Sequence, residues 1–240
     1  FNCTCELNVL SEITGVIPSL ALSTNVYDKV LLILLSIGSR PHGVINVNTF
    51  KISGKEIDVS GLAKARGKNA AKSVARPVLF ISPTQLIRKW KEVREHFKGK
   101  NTTAGDGKGL SATVSQRLNA RALMRFPWLA QFEKQDARGN VRGQKSSILR
   151  KVYADLAYKR FADKKAVNYN TWVGDVLGHD DQLTSFAYTW LNVEDDSDDG
   201  EILTRLADLE VKIETLLKAD EAEVVVAPAP AAPVAPVAPV

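Results

Sequence analysis

The chain has 240 residues, 45% of them hydrophobic, which is enough for one large domain or two small ones with a substantial core. The formal charge of +5 conceals a division: residues 1–192 carry 29 Lys/Arg against 15 Asp/Glu, and residues 193–240 carry three against twelve. A body near +14 with a tail near −9 points to a polyanionic partner, most simply nucleic acid, while the only cysteines, Cys3 and Cys5 in a C-x-C, exclude a disulfide framework and make no complete metal site.

The chain opens on Phe1 and its only methionine is Met124, as expected of a segment of a longer protein. The most apolar run, Val30–Ile37, is far too short to span a bilayer, and no charged-then-apolar signal precedes it. The cysteine usage fits a reducing compartment.

In chain order, Asp28–Gly38 reads as a buried helix: strong helix formers, no internal Gly or Pro, and a Gly at its end. A turn at Ser39-Arg40-Pro41 follows. From Val44 to Val59 the pattern partly alternates and breaks at Ser53-Gly54-Lys55, which predicts a hairpin or small sheet. Gly61–Ala75 is a basic loop or strand end, and Val78–Ile81 a short strand. Ser82-Pro83-Thr84 caps a helix over Gln85–Phe97, with Leu86, Trp90, Val93 and Phe97 on its apolar face.

Lys98–Gly109 is a Gly-, Thr- and Lys-rich loop. Leu110–Leu129 is helical with a break at Pro127, and Ala137–Ser146 is a second basic loop. Ser147–Phe161 is a helix with Leu149, Val152, Leu156 and Ala157 on one face. Trp172–Leu177 is a short helix ending at Gly178, and Leu183–Tyr188 is another helical piece. An acidic linker over 193–201 precedes a heptad-like helix over 202–219, with Ile202, Leu206, Leu209, Ile213 and Leu216 at 4-3-4-3 spacing. Two heptads are too few for a free zipper, so this helix is expected to pack on the body or on a partner. Residues 220–240 end in an Ala/Pro/Val repeat, expected to be disordered.

The chemistry-bearing stretch is Leu177 to Tyr188, a histidine (His179) nine residues before a tyrosine, with Arg150 upstream. A DNA strand can be broken and rejoined without metal or nucleotide if a tyrosine attacks phosphorus, because the phosphotyrosine keeps the bond energy. Guanidinium groups match the charge gathered on the non-bridging oxygens. A lysine can protonate the leaving 5′-oxygen, and an imidazole can support the phosphate. Two Arg, a Lys, a His and a Tyr are therefore needed, and Arg40, Lys64, Arg150, His179 and Tyr188 occur in that order.

Four blocks carry a specific resemblance: Ile37–Arg40, Phe50–Lys55 continuing to Val59–Arg66, Arg150–Tyr158, and Leu177–Asp181 through Tyr188. Their order and setting resemble the tyrosine recombinase catalytic domain, and within it the protelomerases (telomere resolvases) of linear phage-plasmids. The resemblance covers roughly residues 18–192. It implies an α+β, mainly helical catalytic domain over 1–192 with a small antiparallel sheet, followed by the linker, the heptad helix and the tail.

The resemblance also implies roles. Arg40 and Arg150 would clamp the scissile phosphate, Lys64 would protonate the leaving oxygen, His179 would support the phosphate, and Tyr188 would form a 3′-phosphotyrosyl link. The family carries His or Lys three residues before the second arginine. Here that position is Ser147, which can donate one hydrogen bond but no charge, and Lys145 lies close enough in sequence to substitute. His179 is also closer to Arg150 than the family pattern has it, which suggests a shortened loop near Ala162–Asn168. Arg66, Lys68, Lys72, Arg76, Arg142 and Lys145 are expected to form a solvated basic rim touching DNA phosphates. Tyr153, Tyr158 and Tyr169 read as core or surface of their helices, and Trp128, Trp172 and Trp190 as core or docking residues.

The implied activity is cleavage of a palindromic double-stranded DNA site and rejoining into hairpin telomeres, by a homodimer, without metal or small-molecule cofactor, in the cytoplasm of a bacterial host carrying the phage or plasmid. An ordinary tyrosine recombinase exchanging strands between duplexes and a non-catalytic DNA-binding relative are the alternatives.

Overall fold

The computed structural model describes residues 5–7, 10–61, 73–105, 107, 109–132, 134–135, 141–142, 145–178, 191–193 and 199–226. A largely buried helix lies at its centre. This helix, α2 (Val26–Ile37), follows α1 (Leu10–Leu22), a helix not among the elements expected from the sequence. Asn25 caps α2 by accepting the Tyr27 N–H at 2.9 Å, and Gly38 ends it in the left-handed region, donating its N–H to Leu34 O at 2.9 Å. Every residue from Val30 to Ile37 is buried, so α2 has no solvent face along this run. It packs against α1, α3 (Pro83–Phe97), α4 (Ala112–Arg125) and α5 (Lys145–Phe161).

Where α2 meets α4, Asp28 is fully buried between Arg121 and Arg125. Arg121 Nε donates to Oδ1 at 2.6 Å, and Ser23 Oγ donates to Oδ2 at 2.7 Å. Burial alone would raise this carboxyl, but the hydrogen bonds from Arg121, Arg125 and Ser23 outweigh it and hold Asp28 well below the usual carboxylate range.

The small antiparallel sheet expected from the sequence is present, but it is shifted along the chain. Strands β2 (Thr49–Ser53), β3 (Glu56–Ser60) and β4 (Val74–Pro77) form an antiparallel meander in the order β2-β3-β4, with Phe50 opposite Val59 and Ile57 opposite Arg76. Two shorter pairs stand apart: β1 (Cys5–Leu7) runs parallel to β7 (Leu191–Val193), and β5 (Lys134–Gln135) pairs with β6 (Val141–Arg142).

Val44–Val47, expected in the hairpin, instead belongs to a π-helical turn over Gly43–Val47. The reason is where its carbonyls go. Trp90 Nε1 donates to Val44 O at 3.3 Å and Arg94 to Ile45 O at 2.9 Å, while the Asn48 N–H closes the turn on Gly43 O at 2.8 Å. The apolar run Val78–Ile81 is buried but is not a strand. The Leu79 N–H goes to Ser36 O, and the Ile81 N–H turns back to Leu79 O around Phe80 at φ 70°. That three-residue turn removes the run from any ladder.

Helix α3 begins at a full capping box between Ser82 and Gln85, with Pro83 in its first turn. Helix α4 stops before Pro127, and a 3-10 stretch covers Pro127–Phe132. The expected single apolar face of α5 widens to both sides, because α2, α4 and α6 (Tyr169–Leu177) surround it. The last helix, α7 (Asp199–Val226), lies on α1 and also touches α5. Its buried residues are Ile202, Leu206, Leu209, Ile213 and Leu217. Leu216 is only half-buried, so the stripe closes at Leu217, the phase of a straight helix rather than of a heptad coil. Glu210 fastens α7 to the body: it takes both Arg160 end nitrogens at 2.7 and 2.8 Å and the Phe80 N–H at 3.0 Å. The helix also runs through 220–226, which were expected to begin the disordered tail, while 227–240 lie outside the described residues. No helix among the described residues is long and apolar enough to cross a membrane.

Candidate active site

The site is built where two helices end. Helices α2 and α6 both stop at a left-handed glycine, Gly38 and Gly178, so each leaves carbonyls without a helical partner. Just beyond these glycines in the sequence stand Arg40 and His179. Two buried arginines span the helix ends. Arg150, on α5, donates one guanidinium nitrogen to Gly38 O and the other to Leu177 O, the latter at 3.2 Å. Arg76, on β4, donates to Ile37 O and Ser39 Oγ at 3.1 Å each and to Leu177 O at 3.2 Å.

The carbonyl ends of two helices carry partial negative charge, about half an elementary charge each, and this offsets part of the cost of burying two cations. Arg150 is 4% exposed and Arg76 has no exposed surface. Arg40 lies on the turn that these bonds hold, half-buried, with its own carbonyl accepting the Val44 N–H at 3.0 Å. Three of the four sequence blocks thus meet through Arg150: its own helix, the Ile37–Arg40 turn and the end of α6.

The tyrosines sort themselves by burial. Tyr153 is fully buried, its hydroxyl donates to Pro77 O at 2.8 Å, and its ring covers Gly38. Burial pushes its phenol well above the ordinary tyrosine value, and the fully buried, bonded hydroxyl is out of reach of a DNA phosphate. The Tyr158 hydroxyl donates to Val167 O at 3.2 Å, and its ring meets those of Tyr169 and Trp172 edge-on. These contacts close the α5–α6 connection around 162–168.

Two members of the expected basic rim are not solvated in this structure. Arg76 is buried because strand alternation puts it on the same inward face as Val74, a signal that was present in Val74-Ala75-Arg76 and was overridden by its charge. Lys145 opens α5 with 6% exposure. Ser147 is half-buried in the first turn of α5, next to Ser146, whose N–H and hydroxyl both meet Asn119 Oδ1 at 3.2 Å. Lys64, His179, Tyr188, Arg66, Lys68, Lys72 and Trp190 lie outside the described residues, as does the side chain of Arg142.

The sequence pattern of the family described as the Telomere resolvase ResT/TelK catalytic domain matches residues 6–191. The chain belongs to the telomere resolvase catalytic-domain family. Telomere resolvase ResT of Borreliella burgdorferi is 29% identical over 181 residues, covering 72% of this chain and 36% of ResT. The chain thus spans about a third of that relative's length. Among solved structures, a protelomerase TelA variant complexed with DNA hairpin product superposes with a TM-score of 0.53 at 21% identity, covering 82% of this chain and 62% of TelA. Protelomerase TelK complexed with substrate DNA gives a TM-score of 0.50 at 22% identity, covering 79% of this chain and 40% of TelK. The telomere resolvase fold, a mainly helical domain with a small antiparallel sheet, is therefore the fold of this chain.

Proposed function

We propose that this chain is the catalytic part of a telomere resolvase, which cuts both strands of a palindromic duplex and rejoins each end to its opposite strand as a hairpin. The observation that carries this reading is the Arg150 brace inside a matched telomere resolvase catalytic domain: one guanidinium ties the turn before Arg40 to the helix end before His179.

The roles follow from the chemistry. Tyr188 attacks the scissile phosphorus and displaces the 5′-oxygen, which leaves a 3′-phosphotyrosyl bond that conserves the energy of the phosphodiester. Lys64 gives the departing oxygen its proton. Arg40 and Arg150 hold the non-bridging oxygens, and fixed donors in a water-poor site stabilise the developing charge more than mobile water would. His179 supports the same phosphate. The hairpin forms when the 5′-hydroxyl of the opposite strand attacks phosphorus and releases Tyr188. Arg66, Lys68, Lys72 and Arg142 contact the flanking backbone. A homodimer on a two-fold symmetric site supplies two such centres for staggered cuts. The phage or plasmid setting and bacterial cytoplasm belong to the same proposal.

The test is a denaturing gel of the wild type beside Tyr188→Phe, with end-labelled inverted-repeat DNA from the replicon that encodes the chain. Fast-renaturing hairpins that are lost in the mutant are the expected product. Protein-linked DNA without hairpins would replace this reading by an ordinary strand-exchanging recombinase. Bound but intact duplex would replace it by a binding-only role.

A further inference from the structure

Arg76 does more than its burial requires. An ion with no exposed surface costs stability unless its donors are satisfied, and an apolar residue of similar volume is often equal or better for stability alone. Here the guanidinium is spent on three groups in two segments: Ile37 O and Ser39 Oγ on one side, Leu177 O on the other. These segments are far apart in sequence, and both are places where a helix has just ended. After a left-handed glycine the direction of the chain is set by whatever holds the last carbonyls. Arg150 holds one side of this junction from α5, and Arg76 holds the other from β4, sharing Leu177 O with it. A planar fork reaches two acceptors at a fixed separation, which a lysine cannot do.

We propose that Arg76 is a positioning residue for DNA cleavage: it completes, with Arg150, a two-guanidinium brace that fixes the Arg40 turn against the Leu177–Gly178 helix end. It acts through Arg40 and Arg150 and does not itself contact the phosphate. The functional half of this proposal rests on the telomere resolvase reading; the brace itself does not.

The test uses Arg76→Lys, with Arg76→Met as the harsher variant, and three readouts on each. Circular dichroism checks the fold, single-turnover cleavage at saturating inverted-repeat DNA is compared with DNA affinity, and amide hydrogen exchange is followed over 38–44 and 177–178. In Arg76→Lys the helical signal and the DNA Kd stay within about twofold. Cleavage falls about 10- to 100-fold, the range for one or two lost charge-assisted hydrogen bonds, and exchange rises about tenfold in both segments. Wild-type exchange in both segments of folded Arg76→Lys would overturn the brace. Affinity and cleavage falling by the same factor would make Arg76 a DNA ligand instead and overturn the positioning role. If the wild type forms no covalent adduct, the telomere resolvase reading fails and the exchange measurement alone decides the brace. If Arg76→Met does not fold, the decision rests on Arg76→Lys.

Discussion

Replacing Gly38 by alanine tests how the site is braced. Gly38 sits at φ 59° and ψ 27°, where a Cβ costs about 1–2 kcal/mol through its contact with the following carbonyl. A second cost is local. The added Cβ would enter the Tyr153 ring, with Cε1 at 2.8 Å and Cγ at 3.0 Å. That ring cannot swing away, because it is fully buried and its hydroxyl is bonded to Pro77 O. Overpacking of this kind costs about 1–3 kcal/mol more. Gly38→Ala should therefore lose about 2–5 kcal/mol. Gly99 separates the two parts. It has φ +72° in the turn that the Lys100 N–H closes on Phe97 O, and nothing lies within 4 Å of its Cβ position. Gly99→Ala should lose only the backbone part, about 1–2 kcal/mol. Urea unfolding of both variants, with unchanged m values, measures the difference. Equal losses to within about 0.5 kcal/mol would refute the packing of Tyr153 on Gly38, and with it the rigid seat under the carbonyl that Arg150 binds.

Three further outcomes follow from the packing. Leu217→Ala should cost about 2–4 kcal/mol in chemical denaturation and Leu216→Ala less than about 1, because only Leu217 (1% exposed) closes the α7 stripe; the reverse order would restore the heptad phase. Asp28→Asn should destabilise the chain by about 3–5 kcal/mol near pH 7, since it leaves Arg121 and Arg125 facing a neutral amide. The Asp28 pKa is depressed in the folded state, so its contribution is complete above the ordinary carboxylate pKa of about 4 and is withdrawn as pH falls below it. The gap between wild type and Asp28→Asn should therefore narrow in acid unfolding titrations, and a constant gap would contradict the ion cluster. Glu210→Ala should cost about 1–3 kcal/mol and raise amide exchange along α7, because it releases Arg160 and the Phe80 N–H together; unchanged exchange would mean that apolar contacts alone dock the helix.

What was readable in the sequence was what local rules decide. The ends of α2, α3 and α6 carry their caps in plain view as Gly38, Ser82 with Gln85, and Gly178. The hairpin of β2 and β3 announces itself by its turn at Gly54-Lys55. What was hidden was decided by distant partners. Val44–Val47 has strand-like composition, yet its carbonyls are claimed by Trp90 and Arg94 more than forty positions later. Val78–Ile81 would pass for a strand, but Ser36 and Glu210 take its N–H groups. Of the expected set, Arg40 and Arg150 stand at one junction and were legible from the blocks around them, while Lys64, His179 and Tyr188 lie outside the described residues. The burial of Arg76 at that junction was not legible, because basic residues are expected at the surface and only the alternation with Val74 argued otherwise.

The most direct test of the central claim is to identify the bond between this chain and DNA. A suicide substrate, nicked so that the short fragment released after cleavage diffuses away, is incubated with the protein. The trapped adduct is digested and the modified peptide is sequenced by mass spectrometry. A 3′-phosphotyrosyl nucleotide on Tyr188, absent from Tyr188→Phe, is the predicted result. An adduct on any other residue, a 5′ linkage, or cleaved DNA that never becomes protein-linked would contradict it.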